Sequence, residues 1–175
     1  MKGKRPVFKR YYKRTGPVLS ISPELVKALD SYGKPKVVYL IGSLRNPEIN
    51  RLAAAIRELG FEVFDDWTAA GPTADDSWRD YEKQRGHNYV QALQGYAAKH
   101  VFALDKAHLD RADLVVMLMP AGKSGHLELG YSLGKGKPGF VLFDQEPERF
   151  DVMYQFATGI FLEEQKLLEA LKTYL

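Results

Sequence analysis

The chain contains no cysteine among its 175 residues. That excludes disulfides, thiolate nucleophiles and cysteine-ligated zinc or iron–sulfur centres. No apolar run approaches the ~20 residues that a membrane-spanning helix needs, so no membrane partner is expected. The opening stretch MKGKRPVFKRYYKRTG is basic but has no apolar h-region, so it does not read as a secretory signal. Together with the absent cysteines this fits a cytoplasmic location. Internal repeats and low-complexity tracts are missing as well. Neither GSLRNP nor GKSG is a Walker loop, because the glycine-rich half that should precede the lysine is not there.

What is present is a chain with 45% hydrophobic and 27% charged residues, the balance of a globular domain long enough to bury a real core. The net charge of +3 is unevenly spread. Residues 1–36 carry ten Lys/Arg against Glu24 and Asp30, a net of +8, and residues 37–175 carry fifteen basic against twenty acidic side chains, a net of −5. The basicity therefore belongs to a leader rather than to the body. Such a leader could touch nucleic acid or phosphate. The plainer reading is a solvated arm, or one packed on a neighbouring subunit, and nucleic acid is not taken as a partner. The chain divides accordingly into a basic N-terminal extension with one helix, residues 1–35, and an α/β domain, residues 36–175.

Ser22-Pro23-Glu24 places a hydroxyl cap, a proline and an acid where a helix begins, and that helix should end near Gly33. KVVYLIGS is a short β-branched run that stops at Gly42-Ser43, as a buried parallel strand does. PEINRLAAAIREL predicts a helix closed by Gly60, and FEVF a second strand. Residues 68–87 read as a loop with one short helix through SWRDYEKQ. From Asn88 to Arg111 the apolar spacing predicts a helix with a break near His100. DLVVMLMP is a third strand, SGHLELGYSLGKG a helix, GFVLF a fourth strand, GIFL a weak fifth and EEQKLLEALKTYL a closing helix.

This alternation predicts a doubly wound, flavodoxin- or Rossmann-like α/β fold with a five-stranded parallel sheet and helices on both faces. Ligands of such folds bind beyond the carboxyl ends of the strands, where the strand order reverses. If the order is flavodoxin-like, that point receives GSLRN and MPAGKSGHLE together, and with them Glu128. On spacing alone Glu128 is equally an acid placed to favour a helix N-terminus. Ser43 and Arg45 sit where a helix N-terminus can bind an anion, or form a plain turn. His126 alone is more often a polar neighbour than a base.

The strings VVYLIGS, GFEVFD, LDKAHLDRADLVVMLMP and SGHLELGYSLGKGKP together resemble the nucleoside 2-deoxyribosyltransferase family, including its nucleoside 5′-monophosphate N-glycosidase branch. The likeness covers roughly residues 36–143. It implies cleavage of the N-glycosidic bond of a (deoxy)nucleoside or nucleoside 5′-monophosphate, without metal or organic cofactor. It further implies Glu128 as nucleophile, Asp105 as the acid that serves the base, and Tyr39 as the residue orienting the nucleophile. Gly42 and Ser43 would line the sugar or phosphate end. Arg45, Asp65, Trp67, Ser124, Gly125 and His126 complete the candidate substrate-binding wall, with Ser124 and Gly125 giving backbone clearance. The family also implies a homodimer or larger homo-oligomer. PAGKSG carries no acid where transferases of the family hold a further aspartate, and phosphate-preferring hydrolases lack it too, so transfer and hydrolysis both stay open. Two other readings stand beside this one. PAGKSGHLE distantly resembles the loop of phosphoribohydrolases, and the same fold also serves non-catalytic nucleotide sensors.

Overall fold

The computed structural model describes Ser22 and residues 33–175. The basic leader and the body of the helix expected between Ser22 and Gly33 lie outside the described residues. Five strands form: β1 (Val37–Ile41), β2 (Glu62–Phe64), β3 (Leu114–Leu118), β4 (Gly139–Leu142) and β5 (Gly159–Phe161). They pair in parallel in the order β2-β1-β3-β4-β5. Short apolar, β-branched segments suit this arrangement because both faces of a parallel sheet are covered. The helices are α1 (Glu48–Glu58), α2 (Ala74–Gln84), α3 (Tyr89–Leu93), α4 (Tyr96–Arg111), α5 (Lys123–Gly134) and α6 (Glu164–Lys172). Gly60 ends α1 with a φ of 108°, a conformation that glycine adopts without strain.

Alternation along β1 splits the core into two layers. Val38 and Leu40 face α1 and α6, packing with Leu52, Ile56, Leu167 and Leu171. Tyr39 and Ile41 face the opposite way, with Phe64, Val115 and Met117, against Leu109 of α4 and Leu129 of α5. Tyr39 is thereby assigned to the layer that holds α4 and α5. Its neighbours across the sheet are Phe64 on β2 and Val115 on β3.

Two segments differ from the sequence expectation. Residues 68–87 are more regular than a loop: a 3₁₀ turn covers Asp66–Ala70 and α2 runs for 11 residues. Glu82, only 3% exposed, organises this insertion through His87 Nδ1 at 2.6 Å and Arg85 at 3.4 Å. The helix expected across Asn88 to Arg111 is two helices, and the break falls at Gly95 rather than at His100. An Asn88–Gln91 capping box starts α3, and the extended backbone of Gly95 (φ −67°, ψ 157°) separates it from α4. Glycine is the residue there that resists helix most. Through His100 the helix continues unbroken, with the imidazole stacked on Tyr96.

Candidate active site

The carboxyl ends of β1 and β3 lie side by side, with Ile41 paired to Met117. Beyond β1 the chain turns through Gly42-Ser43. The Arg45 amide donates to Ser43 Oγ at 3.2 Å, and the Asn46 amide to the Ser43 carbonyl at 2.9 Å. Asn46 Nδ2 reaches the Met119 carbonyl at 3.5 Å, joining the exit of β1 to that of β3. A Cβ on Gly42 would fall 2.2 Å from Ile49 Cδ1. A Cβ on Gly125 would fall 2.9 Å from Ile41 Cγ2 and 3.3 Å from Ala121 Cβ. Both glycines thus let a helix sit close to β1. The clearance expected at Gly125 for a ligand is taken up by helix packing instead. Ser124 is exposed in the first turn of α5.

Three titratable side chains converge in this layer. Tyr39 of β1 is 1% exposed, while Asp105 of α4 and Glu128 of α5 are half-buried. Burial, then the Asp105 carboxylate, pushes Glu128 up to about 7. Burial likewise raises Asp105, opposed by His108. Tyr39 is raised first by burial and then by Glu128 and Asp105. Glu128 thus lies within the field of Asp105, and Tyr39 within the field of both. Three other shielded or helix-end acids have partners: Asp65 pairs with Arg57, Glu82 with Arg85 and the His87 ring, and Asp110 with two lysines. Among the described residues neither Asp105 nor Glu128 has a salt-bridge partner. Half-buried carboxyls with raised proton affinity have the properties that acid–base or nucleophilic work requires.

The remaining candidates are engaged elsewhere. Asp65, 8% exposed, is bound by the Arg57 guanidinium, which also donates to the Val63 carbonyl at 3.0 Å. Its carboxylate is held in an ion pair with a partly exposed guanidinium. Trp67 donates Nε1–H to the Leu40 carbonyl at 2.8 Å and packs against both core layers, so its first role is structural. Arg45 is exposed and pairs with Asp76 of α2 at 2.5 Å. In the insertion, Trp78 Nε1 is buried without a hydrogen-bond partner, and Tyr81 lies exposed beneath the Arg85 guanidinium.

His126 points away from the carboxyl pair. Its ring nitrogens meet the Gly122 carbonyl at 2.9 Å and the Tyr154 hydroxyl at 2.8 Å. At about 100° per residue it lies about 200° around the helix from Glu128. On that far flank it lines a cavity of about 490 Å³ with Leu129, Gly130, Leu133 and Tyr154. The structure therefore brings together Tyr39, Asp105 and Glu128 and separates His126 from them. It also reveals residues that the sequence pattern did not single out. The His108 ring stacks on Phe64 at 3.7 Å, and Phe64 lies 5.1 Å from Tyr39. Among the described residues no group of three His, Asp or Glu is arranged to hold a metal, and no helix is long and apolar enough to cross a membrane.

No protein-family model and no curated protein sequence matches the chain. Among solved structures it is similar to the 2-deoxyribosyltransferase of Bacillus psychrosaccharolyticus. That match has 20% identity and a TM-score of 0.51, and covers 75% of this chain and 90% of that one. The fold is that of a 2-deoxyribosyltransferase. A second similar structure is the CMP N-glycosidase of Clostridium botulinum, at 18% identity and a TM-score of 0.48, covering 78% of this chain and 98% of that one. At such identities the common property is the α/β architecture, and the chemistry has to be argued from this chain's own side chains.

Proposed function

We propose that the protein cleaves the N-glycosidic bond of a (deoxy)nucleoside or nucleoside 5′-monophosphate. The observation that carries this reading is the pair of half-buried carboxyls, Glu128 and Asp105, without a salt-bridge partner among the described residues and set at the strand-order reversal beside Tyr39. Glu128 Oε bonds to C1′ as the C1′–N bond breaks. The bonding electron pair passes to the base nitrogen, which takes a proton from Asp105. Water then bonds to C1′, gives a proton to the Asp105 carboxylate and releases Glu128. A second base in place of the water gives transfer instead, its N–H proton going to Asp105. Tyr39, held in the core beneath both acids, orients the nucleophile.

Burial first, and then the Asp105 charge, favour the protonated form of Glu128 in the free protein. Turnover needs Glu128 ionised and the proton beside the leaving base. Positive character developing on the sugar ring favours that redistribution, as a carboxylate stabilises an adjacent cation. The turn after β1 supplies amides and Arg45 for a 5′-phosphate. The Arg45–Asp76 pair is exposed, so it is worth little to stability and yields readily to a dianion.

The test is incubation with a panel of nucleosides and 5′-monophosphates, with free base followed by chromatography. Base release is expected from at least one of them, and added second base distinguishes transfer from hydrolysis. No release from any compound sinks the proposal; binding without turnover would then favour a nucleotide sensor. Self-association fits the same reading. Leu127, Phe150, Val152, Met153 and Phe156 are 59% to 76% exposed around the turn at Val152–Phe156, an apolar surface that a second copy would cover. Sedimentation should show a dimer or larger species, and a monomer at micromolar concentration would rule this out.

A further inference from the structure

α4, which carries Asp105, is fastened at one end. Upstream of Asp105 its apolar side chains Val101, Phe102 and Leu104 are exposed, and its one buried residue is Leu109. The attachments cluster in the last turns. Lys137 Nζ donates to the carbonyls of Leu109, Asp110 and Ala112 at 2.5, 2.7 and 2.7 Å, satisfying groups that a helix C-terminus leaves without internal partners. The Tyr131 hydroxyl donates to Asp110 Oδ1 at 2.6 Å, and Lys135 Nζ donates to the same oxygen at 2.9 Å. Tyr131 stands about one turn beyond Glu128 on α5, and Asp110 about one and a half turns beyond Asp105 on α4. The bond between them therefore ties the two helices together on the C-terminal side of both acids.

We propose that Tyr131, Asp110 and Lys137 form a clamp whose role is to hold the Asp105 carboxylate at its working distance from Glu128. This makes them positioning residues, and the proposal rests on the reading of the acid pair as the active one. Stability alone is a poor account of the Asp110 part of the clamp, because its pairs with Lys106 and Lys135 are solvent-facing and exposed ion pairs contribute little. It also gives a role to the GKGKP stretch, whose Lys137 reaches back from the loop after α5 to cap α4. The groups that face Glu128 are Asp105 from α4 and Tyr39 from β1, and His108 adds to the field at Asp105. Loosening the clamp therefore acts on Glu128 through Asp105.

The experiment is a carboxyl-carbon NMR titration of the full chain with labelled Asp and Glu, the Glu128 signal being identified by its loss in Glu128→Gln. Tyr131→Phe removes the hydroxyl while keeping the ring that Lys106 and Lys135 approach at 5.4 and 5.2 Å. Lys137→Met removes the cap. Drawing two carboxylates from about 6 to about 8 Å apart at an effective dielectric of about 20 lowers the affected midpoint by about half a pH unit. A fall of that order in Glu128 is expected in both variants, with little change in melting temperature for Tyr131→Phe. If Lys137→Met does not fold, Tyr131→Phe decides alone. An unchanged or raised Glu128 midpoint overturns the proposal, whatever happens to melting temperature. Since the titration needs no turnover, a chain that releases no base but shows the fall keeps the clamp and loses the glycosidase reading.

Discussion

Glu128→Gln is expected to reduce base release by about 10³-fold or more and, at the same time, to make the protein more stable at alkaline pH. The first effect follows from removing the nucleophile, whose loss leaves only the contributions of binding and electrostatics. The second follows from linkage. The folded-state midpoint of Glu128 is pushed up to about 7 from an ordinary 4.5, burial being the larger cause and Asp105 the smaller. The folded state thus holds the proton more tightly than the unfolded chain, so stability falls as pH rises from about 4.5 to 7 and is level above that. Glutamine cannot ionise and escapes the penalty, which amounts to up to about 3 kcal/mol. For a domain of this size that is a gain of roughly 5–10 °C in melting temperature at pH 8, shrinking towards nothing at pH 4. Paired thermal melts across that range, with base release measured on the same preparations, check both halves. A variant that is inactive but gains no more over wild type at pH 8 than at pH 4 would mean that Glu128 is not desolvated. A variant that is stabilised yet fully active would leave the site without its nucleophile.

How much of this was legible beforehand differs from residue to residue. The strands were readable because VVYLI, LVVML and GFVL are continuous apolar runs too short for helices, and Gly42 and Gly60 mark where they and their helices stop. Their order could only be assumed flavodoxin-like, and under that assumption the rule that places ligand sites at a strand reversal pointed to Glu128. Asp105 was different. On an amphipathic helix a half-buried aspartate has the same spacing as a solvated one, so only the resemblance of LDKAHLDRADLVV marked it. The partner of Asp65 was hidden because Arg57 lies on α1 and the carboxylate just past β2, a meeting set by the strand–helix turn at Gly60. His126 looked close to Glu128 along the chain, yet two helical residues apart means opposite flanks, and which flank meets Asp105 is set by the seating of Gly125 on Ile41. Lys137 carried no local signal at all, since the carbonyls it caps lie 25 to 28 residues away.

Asp105→Asn is expected to slow release of an ordinary, uncharged base by about 10²- to 10⁴-fold, the usual worth of a positioned general acid. The loss should depend on the leaving group. A nucleoside whose base is already cationic, such as one alkylated at purine N7, departs without taking up a proton, so on that substrate the variant should fall by less than about tenfold. Burial would still hold Glu128 above 4.5, but the neighbouring anion, the second cause of its raised midpoint, would be gone. The acidic limb of the pH–rate profile, which reports ionisation of Glu128, should therefore move to lower pH in Asp105→Asn. Rates on the two substrate types, each followed from pH 4 to 9, contain the whole test. An equal loss on both substrates would show that Asp105 does not supply the proton. A limb that stays in place would show that its charge does not reach Glu128. Only a donor that is also an electrostatic neighbour moves both quantities, so the two readouts together separate a proton-donating Asp105 from one that acts by charge alone.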